Sequence, residues 1–254
     1  MLVRSIKMKK LVLAFLLINI FIPSVMAEKG DILVRLRGIA ITPDDDSDQV
    51  RVAGLGTVQS LNGGESSRVN VDTAIVPELD ITYMLTDHLG VEAIAGIANH
   101  SVKLKDDGLS TLVGALVPGA GSELTDGFKI FDTWVLPPTV TLQYHFAPES
   151  RIRPYAGVGV NYTAFLWDDA TSRLEQAVGG PVHVNTRNGW TWAVQAGVDI
   201  DWRDNWYFNI DLKYIDIDTE ASLFLNGGPL AGTNLRVDTN ITPFVIGAGI
   251  GYRF

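Results

Sequence analysis

The sequence "TPFVIGAGIGYRF", residues 242–254, alternates strictly between two kinds of side chain. One face carries large or apolar groups, and the other carries mostly glycine. The first set is Phe244, Ile246, Ala248, Ile250, Tyr252 and Phe254; the second is Val245, Gly247, Gly249, Gly251 and Arg253. Alternation with a period of two indicates a β-strand with one apolar face. Such a strand must bury that face against protein or against lipid.

The first 27 residues have the three-part organisation of a secretory signal peptide. Four basic residues precede an apolar run from Leu11 to Ile22, and the segment ends in the small-residue pattern "SVMA". The run of 12 residues is shorter than the roughly 20 that a transmembrane helix needs, which argues against an uncleaved anchor. We therefore expect a signal peptide over residues 1–27 and a single exported domain over residues 28–254.

The expected mature chain is strongly acidic. Loss of the four basic residues of the signal peptide changes the formal net charge from −9 to −13. Nucleic-acid binding needs a basic surface, so we expect no nucleic-acid partner. The chain has no cysteine, so packing and backbone hydrogen bonds, not disulfides, must hold the exported domain together.

Eight segments with period-two alternation follow one another through the mature chain. They are predicted at residues 31–42, 74–86, 89–104, 133–146, 152–166, 190–202, 205–219 and 237–254. Short turns alternate with long connections that are rich in Gly, Ser, Asp and Thr. The short turns lie at 86–90, 147–150 and 203–205, and the long connections lie near 43–73, 105–132, 167–189 and 220–236.

This organisation predicts an all-β membrane protein. No apolar run after residue 27 approaches the length of a membrane helix, and the other structure that satisfies its backbone in lipid is a closed β-barrel. An even number of strands with short turns at one end and long loops at the other is typical of outer-membrane barrels. We predict an eight-stranded antiparallel transmembrane β-barrel with short periplasmic turns and long extracellular loops, in the outer membrane of a Gram-negative bacterium.

Tryptophans support this prediction over a soluble β-sandwich, which would also alternate. Trp202 and Trp206 flank the third short turn, whereas Trp134, Trp167 and Trp190 lie beside long loops. Two aromatic girdles, one at each membrane interface, place tryptophans in this way. A sandwich would give no reason for indole rings at both ends of outward faces.

Several motifs resemble one family. "VLPPTVTLQYHF" (135–146), "IRPYAGVGVNYTAF" (152–165), "WYFNIDLKYIDIDT" (206–219) and "PFVIGAGIGYRF" (243–254) resemble the outer membrane protein W (OmpW) family, which includes the alkane-importing AlkL proteins. The resemblance covers nearly all of the mature chain except the long loops. It implies an eight-stranded barrel that lets small hydrophobic molecules cross the outer membrane. We expect no enzymatic activity.

The inward faces of the predicted strands divide the lumen by height. Near the periplasm the inward residues are mostly charged: Arg35, Arg37, Asp80, Glu92, Arg153, Asp199, Asp211, Lys213 and Arg253, together with Gln143 and Gln195. Buried charges must pair, so this floor is expected to be a structural plug. The upper residues are apolar: Ile39, Ile41, Val76, Ala98, Val135, Pro137, Ala193, Ile215, Ile217 and Val245. An apolar upper lumen suits a hydrophobic solute, bound by desolvation.

A solute above a closed floor would have to leave sideways into the lipid. Pro77, Pro137, Pro138 and Pro243 lie in the upper strand segments, and proline removes a ladder hydrogen bond because it has no N–H. We predict that they mark a lateral opening. The alternative is that they cap strands above the membrane.

The same sequence also offers residues for other roles. Asp216, Asp218 and His100 could serve an enzyme at the barrel rim, but alternating aspartates are more simply the polar exit of a strand from the membrane. A structural or receptor barrel acting through its loops also stays open. The four histidines lack metal-ligand spacing, and neither a metal nor a cofactor is expected. Expected partners are outer-membrane lipid, lipopolysaccharide, small hydrophobic solutes and the barrel-assembly machinery. Tyr252 and Phe254 resemble the C-terminal signal by which that machinery recognises its clients.

Overall fold

The computed structural model describes residues 28–42, 45–47, 51–53, 59–60, 69–105, 108–116, 119 and 121–254. The signal peptide predicted over residues 1–27 lies outside the described residues. No helix within these ranges is long and apolar enough to cross a membrane. The strands are β1 (Ile32–Thr42), β2 (Asp45–Ser47), β3 (Arg51–Ala53), β4 (Gln59–Ser60), β5 (Val69–Val71), β6 (Ala74–Met84), β7 (Leu89–Gly96), β8 (Ala98–Leu104), β9 (Lys129–Leu136), β10 (Thr139–His145), β11 (Ile152–Ala170), β12 (Val182–Thr186), β13 (Gly189–Arg203), β14 (Trp206–Ile215), β15 (Ile217–Leu225), β16 (Asn234–Ile241) and β17 (Phe244–Arg253); the helices are α1 (Gly108–Leu116) and α2 (Ser172–Val178).

Eight of these strands close into an antiparallel barrel, which confirms the predicted fold. Around the barrel they run β1, β6, β7, β10, β11, β13, β14 and β17, and β17 pairs back to β1. The closing ladder extends from Leu33 opposite Arg253 to Thr42 opposite Phe244. The C-terminal stretch that indicated a one-sided strand therefore pairs with the first strand and leaves the barrel without a free edge.

Four of the predicted segments are interrupted near the top of the barrel. The breaks fall at Ile97, at Pro137–Pro138, at Asp216 and at Thr242–Pro243, and each separates a barrel strand from an outer strand. Two of the four breaks contain proline, which cannot donate to a ladder. The sequence pattern did not separate the two parts because the alternation continues across each break.

The long connections are more regular than the loops that the sequence predicted. Strands β12, β15, β16, β3 and β4 form a second sheet, with β2 also paired to β16, and α1 and α2 accompany it. A buried apolar cluster fills this outer layer, including Leu109, Val113, Leu124, Phe128, Leu174, Val178, Leu223, Leu230 and Leu235. The extracellular end of the protein thus has its own hydrophobic core.

Helix α2 shows why a connection predicted as a loop folds. The side chain of Thr171 caps its N-terminus by accepting a hydrogen bond from the N–H of Leu174 at 3.2 Å. Gly179 ends the helix in the left-handed conformation with φ +78°, which favours glycine. Leu174 and Val178, four residues apart, lie on one face and are buried. These capping residues lie in a connection that was predicted as a loop because of its Gly and Asp content.

The outward faces of the barrel are apolar. Leu142 and Ile210, in the middle of their strands, are 48% and 50% exposed, although both are hydrophobic. The five tryptophans that predicted the two girdles are also exposed: Trp134, Trp167, Trp190, Trp202 and Trp206. Burial in lipid accounts for such surfaces, which would be costly in water.

The inward face of β17 carries mostly glycine because larger side chains there would collide with neighbouring groups. A Cβ atom at Gly249 would collide with the backbone of β1 at Leu36 and Arg37, and one at Gly251 would collide with the ring of Tyr207. Glycine there lets the closing strands approach and lets the tyrosine cross the lumen.

Gly249→Ala is therefore expected to weaken the closing ladder between β1 and β17. Forcing backbone apart is an overpacking defect that costs about 1–3 kcal/mol, and it would appear as a lower midpoint of urea unfolding in lipid vesicles. Gly38→Ala is the matched control, because a Cβ at Gly38 meets nothing within 4 Å. Equal midpoints for both variants would contradict this account of the glycines.

Candidate functional site

The lower lumen is filled by a network of buried ion pairs centred on Arg35. Its guanidinium forms a two-pronged contact with Asp199, at 3.2 Å from Nε to Oδ1 and 2.8 Å from Nη2 to Oδ2. It also contacts Glu92 at 3.0 Å and donates to Thr82 Oγ1 at 2.7 Å. The side chains of Arg35, Asp199 and Glu92 have no solvent exposure, so these charges are stabilised by one another and by buried polar side chains, not by water.

A second arginine extends the network toward the middle of the barrel. Arg37 contacts Asp80 at 2.6 Å, Glu78 at 3.1 Å and Asp211 at 3.3 Å. Lys213 contacts the same Glu78 at 2.5 Å and Asp211 at 3.3 Å. Charged side chains from several strands thus meet across the lumen at this height.

The remaining predicted floor residues lie toward the periplasmic end. Arg153 pairs with Asp201 at 2.6 Å. Arg253 is 2% exposed, and its guanidinium has no hydrogen-bond partner among the described residues. All nine charged residues assigned to the floor from sequence are thus buried in the barrel, and eight of them take part in ion pairs.

Sequence reasoning missed several members of the network. Glu78 stands two positions before Asp80 on the same strand face, so alternation alone could have assigned it. Tyr155 is 2% exposed and donates its hydroxyl to Asp211 at 2.7 Å, and its ring lies 5.1 Å from the guanidinium carbon of Arg35. An inward tyrosine looks like any other apolar residue in a sequence pattern, so no signal identified its polar role.

Above the floor lies a cavity of about 70 Å³, which we call the inner cavity. Nine of the ten residues assigned to the upper lumen line it, and Ala193 is buried but not part of the lining. The nine are Ile39, Ile41, Val76, Ala98, Val135, Pro137, Ile215, Ile217 and Val245. Glu78 and Lys213 form its boundary with the floor.

A second cavity of about 80 Å³, the outer cavity, adjoins the first and reaches the extracellular core. The two share Ile41, His100, Val135, Ile217 and Pro243. Val69, Val102, Phe131 and Val237 of the extracellular core also line the outer cavity. Sequence reasoning did not find this part, because some of its wall, including Val69 and Phe131, lies in connections that were predicted as loops.

His100 lies where the two cavities meet, on the extracellular side of Trp134. Its Nδ1 is 3.0 Å from the carbonyl oxygen of Asp72. Burial lowers the pKa of His100 below its ordinary value, against the opposing effect of Asp72, so the imidazole is neutral at pH 7.

The barrel ladder is interrupted beside the inner cavity. The pairing of β6 with β7 ends at Glu78 opposite Gly96, and the pairing of β5 with β8 begins only at Val71 opposite Val102. In between, residues 74–77 pair with β1 and residues 98–100 pair with β9. Among these described residues no ladder pair joins β6 to β8.

The four prolines assigned to a lateral opening do not lie together. Pro77 is at the lower end of the interruption between β6 and β8. Pro137 and Pro138 separate β9 from β10, and the carbonyl of Pro138 accepts a hydrogen bond from the N–H of Tyr162 at 3.0 Å. Pro243 separates β16 from β17, and its carbonyl accepts from Ile215 at 3.4 Å. Neighbouring strands thus bridge two of the breaks.

The three residues considered for catalysis do not face a common site. Asp216 accepts a hydrogen bond from the indole N–H of Trp192 at 3.0 Å, and Asp218 is exposed, whereas His100 faces the cavities. In the described part of the chain, no group of three or more histidine, aspartate or glutamate side chains could hold a metal ion.

Comparisons with known proteins agree with this architecture. The family model described as "OmpW family" matches residues 28–254. "Outer membrane protein W" of Escherichia coli (strain K12) is 30% identical over 97% of this chain and 100% of its own length, and "Outer membrane protein AlkL" of Ectopseudomonas oleovorans is 26% identical over 76% and 74%. The crystal structure of OprG from Pseudomonas aeruginosa superposes with a TM-score of 0.72 at 31% identity, over 90% of this chain and 98% of that one.

Asp199→Ala is expected to destabilise the barrel by about 3–5 kcal/mol, because it leaves the buried Arg35 without its two-pronged partner. Urea unfolding in lipid vesicles measures the loss. Glu123→Ala is the control: its partner Arg173 is 3.4 Å away and both side chains are largely exposed, so the change is expected to stay below about 1 kcal/mol. A midpoint for Asp199→Ala equal to that of the control would show that the network adds no net stability.

Proposed function

The chain belongs to the OmpW family of Gram-negative outer-membrane β-barrels, and we propose that it is a channel that admits small hydrophobic molecules. The observation that carries the proposal is the lining of the inner cavity, where aliphatic side chains and proline predominate above the charged floor. Such a wall stabilises an apolar solute by removing it from water and offers little to a sugar or an ion. The OmpW resemblance implies the same class of solute.

The proposed path runs from the outer cavity through the inner cavity. The two share five lining residues, so a solute passing between them would stay against apolar walls. The floor opposes further descent because its pairs would have to separate in a medium of low dielectric constant. A hydrophobic solute would instead leave through the barrel wall into the membrane.

We place the proposed exit between β6 and β8. Opening an intact barrel wall in lipid leaves backbone N–H and C=O groups unpaired, and each such group costs about 1–3 kcal/mol of free energy. At residues 74–77 and 98–100 the ladder pairs between these two strands are already missing, which lowers that cost. Val76 and Ala98 line the inner cavity on the two sides of the interruption, and Ile75, 81% exposed, extends from its outer surface.

The alternative role, a structural or receptor barrel without transport, has one observation in its favour. The extracellular layer has its own apolar core and two helices, so it could present a rigid surface to another macromolecule. Lipopolysaccharide and the barrel-assembly machinery are proposed as partners in either role. Phe254 is 69% exposed, and its ring centroid lies 4.7 Å from that of Tyr252 in an edge-on arrangement. Its side chain is therefore accessible to the barrel-assembly machinery.

Ala98→Trp tests the conduit, because an indole ring at this buried position would fill the inner cavity. In proteoliposomes we expect wild type to speed uptake of a medium-chain alkane but not of a sugar of similar size, and we expect Ala98→Trp to abolish the gain. Ala95→Trp is the matched control, since Ala95 lies on the same segment but faces lipid. If wild type does not exceed empty liposomes for either solute, the structural or receptor role is favoured.

A cross-link tests the exit. The chain has no cysteine, so cysteines introduced together at Ile75 and Asn99 are the only thiols and can be joined by a bifunctional reagent. We expect joining β6 to β8 to slow alkane release into the membrane severalfold, and we expect a cleavable reagent to restore it on reduction. Each single-cysteine variant, treated identically, is the control. Unchanged release after complete cross-linking would rule out this part of the wall.

A further inference from the structure

The outer cavity has a small polar spot in an apolar wall. Its polar side chains are His100 and four threonines, Thr133, Thr163, Thr186 and Thr219, and the rest of its lining is hydrophobic. No acidic or basic side chain other than the neutral histidine belongs to the lining among the described residues. The cavity therefore lacks a charged partner for an ionic solute.

Two of the four hydroxyl groups are already engaged. Thr163 donates to the side-chain oxygen of Asn161 at 2.6 Å, and Thr219 donates to the carbonyl of Arg187 at 2.8 Å. By contrast, the hydroxyl oxygens of Thr133 and Thr186 are buried without a hydrogen-bond partner. Thr133 is only 4% exposed. A buried hydroxyl without a partner is unfavourable, so its presence in this wall points to a ligand.

His100 supplies a complementary group directly opposite Thr133. The two residues are register partners of β8 and β9, and both side chains point inward. Since a carbonyl can only accept, the contact with Asp72 requires the proton of His100 to be on Nδ1. In the neutral ring Nε2 is then an acceptor, and cross-strand partners have Cβ atoms about 5 Å apart. One solute group can reach both.

We propose that the outer cavity selects apolar solutes that carry one neutral hydroxyl group, such as phenols and alcohols. The solute hydroxyl donates to Nε2 of His100 and accepts from the hydroxyl of Thr133, while its hydrocarbon part contacts the surrounding valines and Phe131. A pure hydrocarbon leaves both protein groups unpaired. A carboxylate or an ammonium group finds no opposite charge. This inference rests on the proposed function, since it names the class of solute that the conduit takes.

The test compares p-cresol with p-xylene, which differ by a hydroxyl in place of a methyl group. Affinities for the protein in lipid nanodiscs are measured after subtraction of binding to empty nanodiscs. We expect the ratio of p-cresol to p-xylene affinity to fall about tenfold in Thr133→Val, which removes the unpaired hydroxyl at constant shape. Thr163→Val is the matched control and should leave the ratio unchanged. Thr133→Ser keeps the hydroxyl and should restore it.

A second readout reports on the histidine directly. The chain has four histidines, and the imidazole ¹⁵N signals of His100 are identified by their loss in His100→Phe. We expect p-cresol, but not p-xylene, to shift Nε2 of His100, and the remaining histidine signals verify that each variant is folded.

The outcomes separate this inference from the proposed function. If both solutes bind and Thr133→Val does not alter the ratio of p-cresol to p-xylene affinity, selection by His100 and Thr133 is ruled out. The proposed hydrophobic conduit would not be affected by that result. An equal effect of Thr133→Val and Thr163→Val would also rule out selection by His100 and Thr133, because general polarity would then explain selection. Absence of binding of either solute beyond empty nanodiscs would overturn both.

Discussion

A backbone that crosses lipid must make all of its hydrogen bonds within the protein, and the rest of this structure depends on that constraint. It requires the first and last strands to pair, which closes the sheet and turns one face of every strand toward lipid and the other toward a narrow lumen. The outward face can then be apolar, as at Leu142 and Ile210. The inward face must fill a space too narrow for bulk water, and the chain fills its two halves in different ways.

The floor and the cavities are two solutions to this packing problem. In the lower half, long side chains from opposite walls meet as ion pairs, and Gly251 makes room for the ring of Tyr207, which lies among them. The paired charges are tolerated because their partners are buried beside them. In the upper half, short aliphatic side chains such as Ala98 and Val245 leave space unfilled. The boundary falls at Glu78 and Lys213, where the last ion pair forms the base of the inner cavity.

Sequence alternation predicted the faces of the barrel well, because side chains on a strand alternate with a period of two wherever the strand is regular. Arg35 and Arg37 could be assigned to the lumen and Trp206 to the outside without coordinates. The pattern cannot show where regularity fails. At Leu166 the pairing of β11 with β9 shifts register, so that Phe165 lines the outer cavity whereas Trp167, two residues later, is 59% exposed. A bulge reverses the faces beyond it, and no residue type marks this one.

The outer cavity was beyond sequence reasoning for a related reason. Its walls combine the upper ends of the barrel strands β1 and β11 with β5, β8, β9, β12, β15 and β16, and which of these strands meet is decided by tertiary pairing. His100 illustrates the difference. In the sequence it is an isolated histidine near the barrel rim, whereas in the structure Asp72 fixes its tautomer and Thr133 lies opposite it. An isolated polar residue on an apolar strand face is therefore interpretable only when its cross-strand partner is known. Here the partner is the hydroxyl of Thr133, which is buried without a hydrogen-bond partner, and this pair of groups is the basis on which we propose that the outer cavity discriminates among solutes.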